Sequence, residues 1–208
     1  MPEHPAPDLD IILVRADDLQ PVAWKNGGGV TREIAAHPPG STFESFLWRI
    51  SMADVAAEGA FSIFPGIDRV LTVIEGGTMI LVDAAEEIRH AVHPFEPFQF
   101  PGETPICARL PDGAIRDFNL MYRRGLAQGH TELRRTTQRL VLDAGSMVLH
   151  CAGGSYRIST TPAAGTYLLH HGDTLVLNRH TSDTHHINID IEPHTPGAVL
   201  LDSRIRTI

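Results

Sequence analysis

The chain has 208 residues, 42% of them apolar and 20% charged, with a formal net charge of −8. This composition can fill a hydrophobic core and excludes wholesale disorder. The acidic balance argues against a nucleic-acid partner, and no apolar stretch is long enough to cross a bilayer as a helix, so no membrane partner is expected.

The amino-terminal Met1-Pro2-Glu3-His4-Pro5 lacks a basic segment followed by an apolar run. No secretory signal is read there, and the expected location is the cytoplasm. Eighteen glycines and fifteen prolines punctuate short apolar runs, the pattern of a β protein with many turns. Asp10 to Val14 predicts a strand, Gln20 to Gly29 a loop ending in three glycines, and Val30 to Ala35 a second strand closed by His37-Pro38-Pro39-Gly40. From Phe46 to Met52 the residues alternate, which predicts Phe46, Trp48, Ile50 and Met52 on one face and Leu47, Arg49 and Ser51 on the other. Asp54 to Ala57 reads as a short helix. Arg69 to Glu75 and Thr78 to Val82 are strands joined at Gly76-Gly77, and Cys107 sits in a further strand with no adjacent base. The face rule places Asp117, Asn119 and Met121 together and Phe118, Leu120 and Tyr122 opposite them. Thr131 to Gln138 reads as a weak helix. Strands follow at Leu140 to Leu142, Ser146 to His150, Tyr156 to Thr160, Thr166 to His170, Thr174 to Leu177 and His186 to Ile191. Cys107 and Cys151 lack metal-type spacing and read as free thiols in a reducing compartment. Strands this frequent imply a sandwich, jelly roll or barrel.

Gly76-Gly77-Thr78 leads through a strand to Gly102-Glu103-Thr104, and Gly153-Gly154-Ser155 leads through a strand to Gly172-Asp173-Thr174. Two similar halves would produce this echo.

Trp24-Lys25-Asn26-Gly27-Gly28-Gly29 followed by Thr31-Arg32-Glu33-Ile34 is similar to the signature of the HutD/Ves family. The resemblance continues through Trp48-Arg49-Ile50-Ser51, Phe61 to Arg69, Glu75-Gly76, Phe98 to Gly102 and Asp117 to Met121. It is good over about residues 10 to 125. It implies an all-β cupin (RmlC-like) jelly-roll barrel, bicupin-like, forming one domain over 1–208 with halves at about 1–125 and 126–208. The HutD branch is associated with bacterial histidine utilisation, but the resemblance names no reaction.

The candidate site begins at Lys25, the chain's only lysine. Beside it, Asn26, Gly27 and Gly28 could surround an anion with amide and backbone N–H groups. The lysine precedes the glycines and a strand follows, so this is not a nucleotide P-loop. The other reading of the loop is a bulge leading into a strand. Arg32 and Glu33 are adjacent on a strand, so only one of them can share a given cavity. With Arg49, Arg69, Asp117 and Asn119 they complete the candidate set: arginines to grip a carboxylate in a bidentate fork, and Asn26 and Asn119 as neutral donors and acceptors.

No metal and no cofactor is expected. His90 and His93 do not form the near-adjacent histidine pair that many cupins use. The alternative places a metal on the carboxyl-terminal histidines His171, His185 and His186. The leading functional expectation is binding of a small carboxylate metabolite, in regulation or buffering of histidine degradation. A metal-free isomerase or lyase using Glu33, Asp117 and Lys25 is the first alternative, a metal-dependent enzyme the second and a structural partner protein the third. Whether the chain is an enzyme stays open at this point, as does a homodimer formed through edge strands.

Overall fold

The structure is a computed structural model, and it describes residues 9–25, 27–83, 89–162, 165–179 and 186–208. It is built almost wholly of strands. In chain order they are β1 (Leu9–Val14), β2 (Pro21–Ala23), β3 (Gly29–His37), β4 (Trp48–Val55), β5 (Gly59–Ala60), β6 (Ile67–Glu75) and β7 (Met79–Asp83). Next come β8 (Arg89–Val92), β9 (Phe98–Pro101), β10 (Ile106–Arg109), β11 (Ile115–Arg123), β12 (Ala127–Arg134) and β13 (Gln138–Leu142). The last are β14 (Gly145–Gly153), β15 (Ser155–Thr161), β16 (Gly165–His170), β17 (Thr174–Arg179), β18 (Ile187–Pro193) and β19 (Val199–Thr207). Among the described residues the single helical element is a 3-10 turn at Ala16–Asp18. No helix among the described residues is long and apolar enough to cross a membrane.

The chain divides into two compact units. One comprises residues 19–131 with 207–208, and the other 1–18 with 132–206, so the division falls inside β12. In the first unit a six-stranded sheet, β2-β3-β4-β11-β6-β9, packs on a four-stranded sheet, β5-β10-β7-β8. Leu71, Val73, Phe100 and Ile115 of the larger sheet meet Met79, Leu81, Val92 and Ile106 of the smaller in one core. In the second unit the sheets are β1-β17-β14-β19-β12 and β13-β18-β15-β16. Met147, Leu149, Cys151, Leu175 and Leu177 of one sheet meet Tyr156, Ile158, Ile187, Ile189 and Ile191 of the other. Burial pushes the Cys151 thiol up to about 11, so it is an inert core group. In each unit a double glycine carries the chain from the larger sheet to the smaller. Gly76-Gly77 joins β6 to β7, and Gly153-Gly154 joins β14 to β15.

Three local expectations are corrected. Asp54 and Val55 continue β4, and the N–H groups of Ala56 and Ala57 donate to the Gly28 carbonyl at 3.0 and 3.3 Å, so cross-strand pairing replaces the expected helix there. Thr131 to Arg134 belong to β12 and Gln138 begins β13, so tertiary pairing overrides the helix propensity of Glu132-Leu133-Arg134. Phe46 precedes β4 and packs with Ile67, Met121 and Phe64 rather than with Trp48.

Candidate functional site

The register of the six-stranded sheet builds a row of polar side chains. Across β3, β4, β11 and β6, Glu33 stands opposite Ser51, Ser51 opposite Asn119, and Asn119 opposite Leu71. One step along, Arg49 stands opposite Met121, Met121 opposite Arg69, and Arg69 opposite Phe100 of β9. On the other side of Asn119, Asp117 lies between Ala53 and Val73. Facing pairs share a side of the sheet, so all of these point the same way as the core residues Leu71, Val73 and Phe100. The expected pairing of Asp117 with Asn119 and Met121 on one face is therefore found. Trp48, Ile50, Met52, Phe118 and Leu120 occupy the opposite face and are also buried.

The two arginines differ in how they are held. Arg49 donates from Nε to Glu33 Oε2 at 2.7 Å and from Nη1 to Ser51 Oγ at 3.1 Å, and its guanidinium lies 4.8 Å over the Phe43 ring. Arg69 is buried at 6% exposure, and its Nε has no hydrogen-bond partner. Aromatic faces surround it: its guanidinium carbon lies 4.9 Å from the Phe61 ring centre, 5.0 Å from Phe100 and 5.9 Å from Phe64. Cation–π attraction offsets part of its lost hydration. Burial still lowers its pKa to about 10; the Asp117 charge opposes that shift, and the Arg49 charge adds to it.

Asp117 is 3% exposed, and its Oδ1 has no partner. Burial raises this acid from 3.8 to about 7, with Arg69 pulling it down and Asp54 pushing it up. The Oδ1 of the buried Asn119 is also without a partner. Buried oxygens without partners are uncommon, because each forfeits its hydration. Together with the open Nε of Arg69, they form an incomplete hydrogen-bonding set.

Glu33, Arg49, Arg69, Asp117 and Asn119 thus share one face of the sheet. Arg32 does not join them. It faces the other way, donating to Asp54 at 2.5 Å in a cluster where Arg116 bonds both Asp54 and Glu75. Lys25 is exposed on the β2–β3 hairpin. Gly27 donates its N–H to the Trp24 carbonyl at 3.0 Å, and Trp24 donates to the Gly29 carbonyl at 2.9 Å, so that N–H serves a turn. A Cβ on Gly29 would lie 2.5 Å from the Asp54 carbonyl oxygen and 3.1 Å from the Trp24 ring. Gly29 therefore lets Trp24 pack beside the core, where its indole N–H donates to Thr31 Oγ1 at 2.7 Å. Asn26 and His185 lie outside the described residues. His171 and His186 are exposed, and His186 contacts Asp143. Among the described residues no three His, Cys, Asp or Glu side chains gather as metal ligands.

The sequence reading missed the aromatic surround of Phe43, Phe61, Phe64 and Phe100, and also Ser51. Ser51 was legible, since it alternates in phase with Arg49. Phe43, Phe61 and Phe64 lie outside the strands, where alternation gives no signal.

The family model of HutD matches residues 16–197. The chain belongs to the HutD family. It is 38% identical over 148 residues to an uncharacterised 21.2 kDa protein encoded in the hutC 3′ region of Pseudomonas putida, covering 71% of this chain and 76% of that one. Among solved structures, a conserved protein of unknown function from Pseudomonas aeruginosa PAO1 is 31% identical with a TM-score of 0.84, covering 94% of this chain and 98% of that one. HutD from Pseudomonas fluorescens SBW25 is 30% identical with a TM-score of 0.81, covering 96% and 100%. The fold alone is shared with the oxalate decarboxylase of Lactobacillus farciminis, at 8% identity and a TM-score of 0.62. This HutD-family chain is accordingly all-β and cupin-like, and the context of its relatives is histidine utilisation.

Proposed function

We propose that the polar face of the six-stranded sheet binds a small carboxylate metabolite, and that the protein thereby regulates or buffers histidine degradation in the cytoplasm. The observation that carries this reading is Arg69: a buried guanidinium with an open Nε, no acid within ion-pair reach among the described residues, and the unpartnered oxygens of Asp117 and Asn119 on the same face. A carboxylate would supply the missing acceptor, and the phenylalanine rings would exclude water around it and strengthen the pairing. HutD from Pseudomonas fluorescens was solved in a formate condition, and formate is the smallest carboxylate. The same reading takes the two units as the halves of a bicupin, with the ligand site in the first.

One observation favours a second reading. A buried acid poised near 7, as Asp117 is, suits proton transfer, which a metal-free isomerase or lyase would need. Turnover that Asp117→Asn abolishes would support that alternative.

The test is thermal stability of tag-free protein with urocanate, formylglutamate, formiminoglutamate, glutamate, histidine or formate. A ligand at ~100 times its Kd adds about 2.7 kcal/mol, an easily read shift. At least one carboxylate should stabilise the wild type and Arg32→Gln but not Arg69→Met. No shift with any of them, or a shift that Arg69→Met retains, refutes the proposal.

A further inference from the structure

We propose that Asp117 takes up a proton from solvent as a carboxylate binds beside Arg69, so that the site captures its ligand as an anion together with a proton. This inference rests on the carboxylate-binding reading and adds the residue that regulates it.

The argument is a charge balance on one face. Arg49 already has its counter-ion, because Glu33 accepts from its Nε at 2.7 Å. Among the described residues Arg69 has no acid within ion-pair reach; the acid whose charge acts on it is Asp117, on the same face of the adjacent strand β11 but opposite Val73, further along β6. When Asp117 is ionised, it and Arg69 neutralise each other at a distance. A ligand carboxylate seated on Arg69 would then bring a second negative charge into a buried region with only one uncompensated cation. Two like charges in such a place cannot both stay ionised, so one must take a proton. A free carboxylate with an ordinary pKa, now bonded to a guanidinium, keeps its charge; Asp117 gives up its own. Protonated, its hydroxyl can also donate to the ligand, so the group that would repel the anion becomes a partner.

The surroundings leave Asp117 to do this. On β6 it stands opposite Val73 and feels the Arg69 charge further along the strand. From β4 it feels Asp54, a repulsive charge on the opposite face, while Arg49, ion-paired to Glu33, acts on Arg69. The phenylalanine rings of β9 and the 61–64 segment surround Arg69 and bring no charge to this face. The facing strands β7 and β10 contribute Met79, Leu81, Ile106 and Ala108 to the same core. No hydrogen-bond donor fixes its Oδ1 as an anion. Burial therefore already leaves Asp117 with a pKa of about 7 before any ligand arrives, within reach of a small change in local charge.

The experiment measures binding of formate and of glutamate, whose carboxylates stay ionised between pH 6.0 and 8.5. With a ligand-free midpoint near 7, the wild-type affinity should fall about thirty-fold across that range. Calorimetry in two buffers of different ionisation enthalpy should show close to one proton taken up per ligand at pH 8 and few at pH 6. Asp117→Asn should bind with little change across the range. The ¹³Cγ resonance of Asp117 should titrate near 7 without ligand and well above it with ligand. Binding that is equal at the two pH values, with no proton uptake, overturns this inference and leaves the carboxylate reading standing. No binding of either probe at either pH overturns the carboxylate reading, and this inference with it.

Discussion

Asp117→Asn tests the cost of the site to folding, apart from any ligand. In the unfolded chain this acid ionises near 3.8; in the fold it ionises near 7. The folded pKa lies above the unfolded one, so the neutral form is favoured by the fold. Its contribution is fully present below pH 3.8 and is lost as pH rises to about 7. Above that the loss is complete, and it amounts to about 4 kcal/mol. About 3 kcal/mol of this falls between pH 4.5 and 8. Asparagine resembles the protonated acid and does not titrate, so the stability difference between variant and wild type should grow by that amount over the range. Asp54 is held below its usual pKa mainly by its bonds to Arg116 and Arg32, against the effect of burial. It is present in both proteins, so most of its own contribution cancels. Both tryptophans of the chain, Trp24 and Trp48, lie in residues 19–131. Urea unfolding followed by tryptophan fluorescence therefore reports on the unit that holds Asp117. Curves for the two proteins that stay parallel from pH 4.5 to 8 would refute the assignment of a raised pKa and the charge balance built on it.

Three further predictions use other parts of the fold. Gly29→Ala should cost roughly 2 kcal/mol or more, because its Cβ meets backbone at 2.5 Å, whereas Gly27→Ala meets nothing within 4 Å; it should lose only about 1 kcal/mol, from its positive φ. Urea midpoints of the two variants check the contrast. Asp202→Ala should cost about 3 kcal/mol, because Asp202 is fully buried and accepts from both Arg134 and Arg204; a loss under 1 kcal/mol would show that those arginines find other partners. Lys25→Met should leave stability within ~0.5 kcal/mol, since the side chain is exposed, so any lost carboxylate shift in that variant reflects binding rather than folding.

Much of the site was legible from period-two alternation. Asp117, Asn119 and Met121 share a face because a strand permits nothing else, and Arg49 was correctly separated from Trp48. The choice between Arg32 and Glu33 was not legible. It depends on which face of β3 turns toward the smaller sheet, and the irregularity between Glu33 and Ala35 shifts the phase within the strand. The glycine run was read mainly as an anion-binding loop. Gly29, at its end, makes room for Trp24, a steric role that depends on the position of Asp54, far off in sequence. The helix expected at Asp54 to Ala57 failed for a related reason: the Gly28 carbonyl, on the neighbouring hairpin, holds the N–H groups that would have started it. Long-range pairing of this kind leaves no local pattern to read.

The two units together show why the charged face argues for binding. Both consist of a larger and a smaller sheet closed over a core. In residues 132–206 with 1–18 the named core is apolar throughout, apart from the phenol of Tyr156, which donates to the Arg134 carbonyl at 2.9 Å. That apolar core therefore closes without an unpaired charge, and the unit's buried acids Asp202 and Asp173 are ion-paired to arginines. In residues 19–131 the corresponding layer keeps Arg69 and Asp117 buried, neither bonded to the other and each with an open atom. Burying a charge without a close partner costs folding energy, and an apolar side chain of similar volume would serve the core as well or better. Buried polar groups that burial penalises, with open atoms on one face, fit the proposed binding site. Arg69→Met separates the two roles: it should leave the protein at least as stable by urea unfolding and abolish stabilisation by carboxylates. A variant that unfolds more readily instead would make Arg69 a structural group and remove the central support for the site.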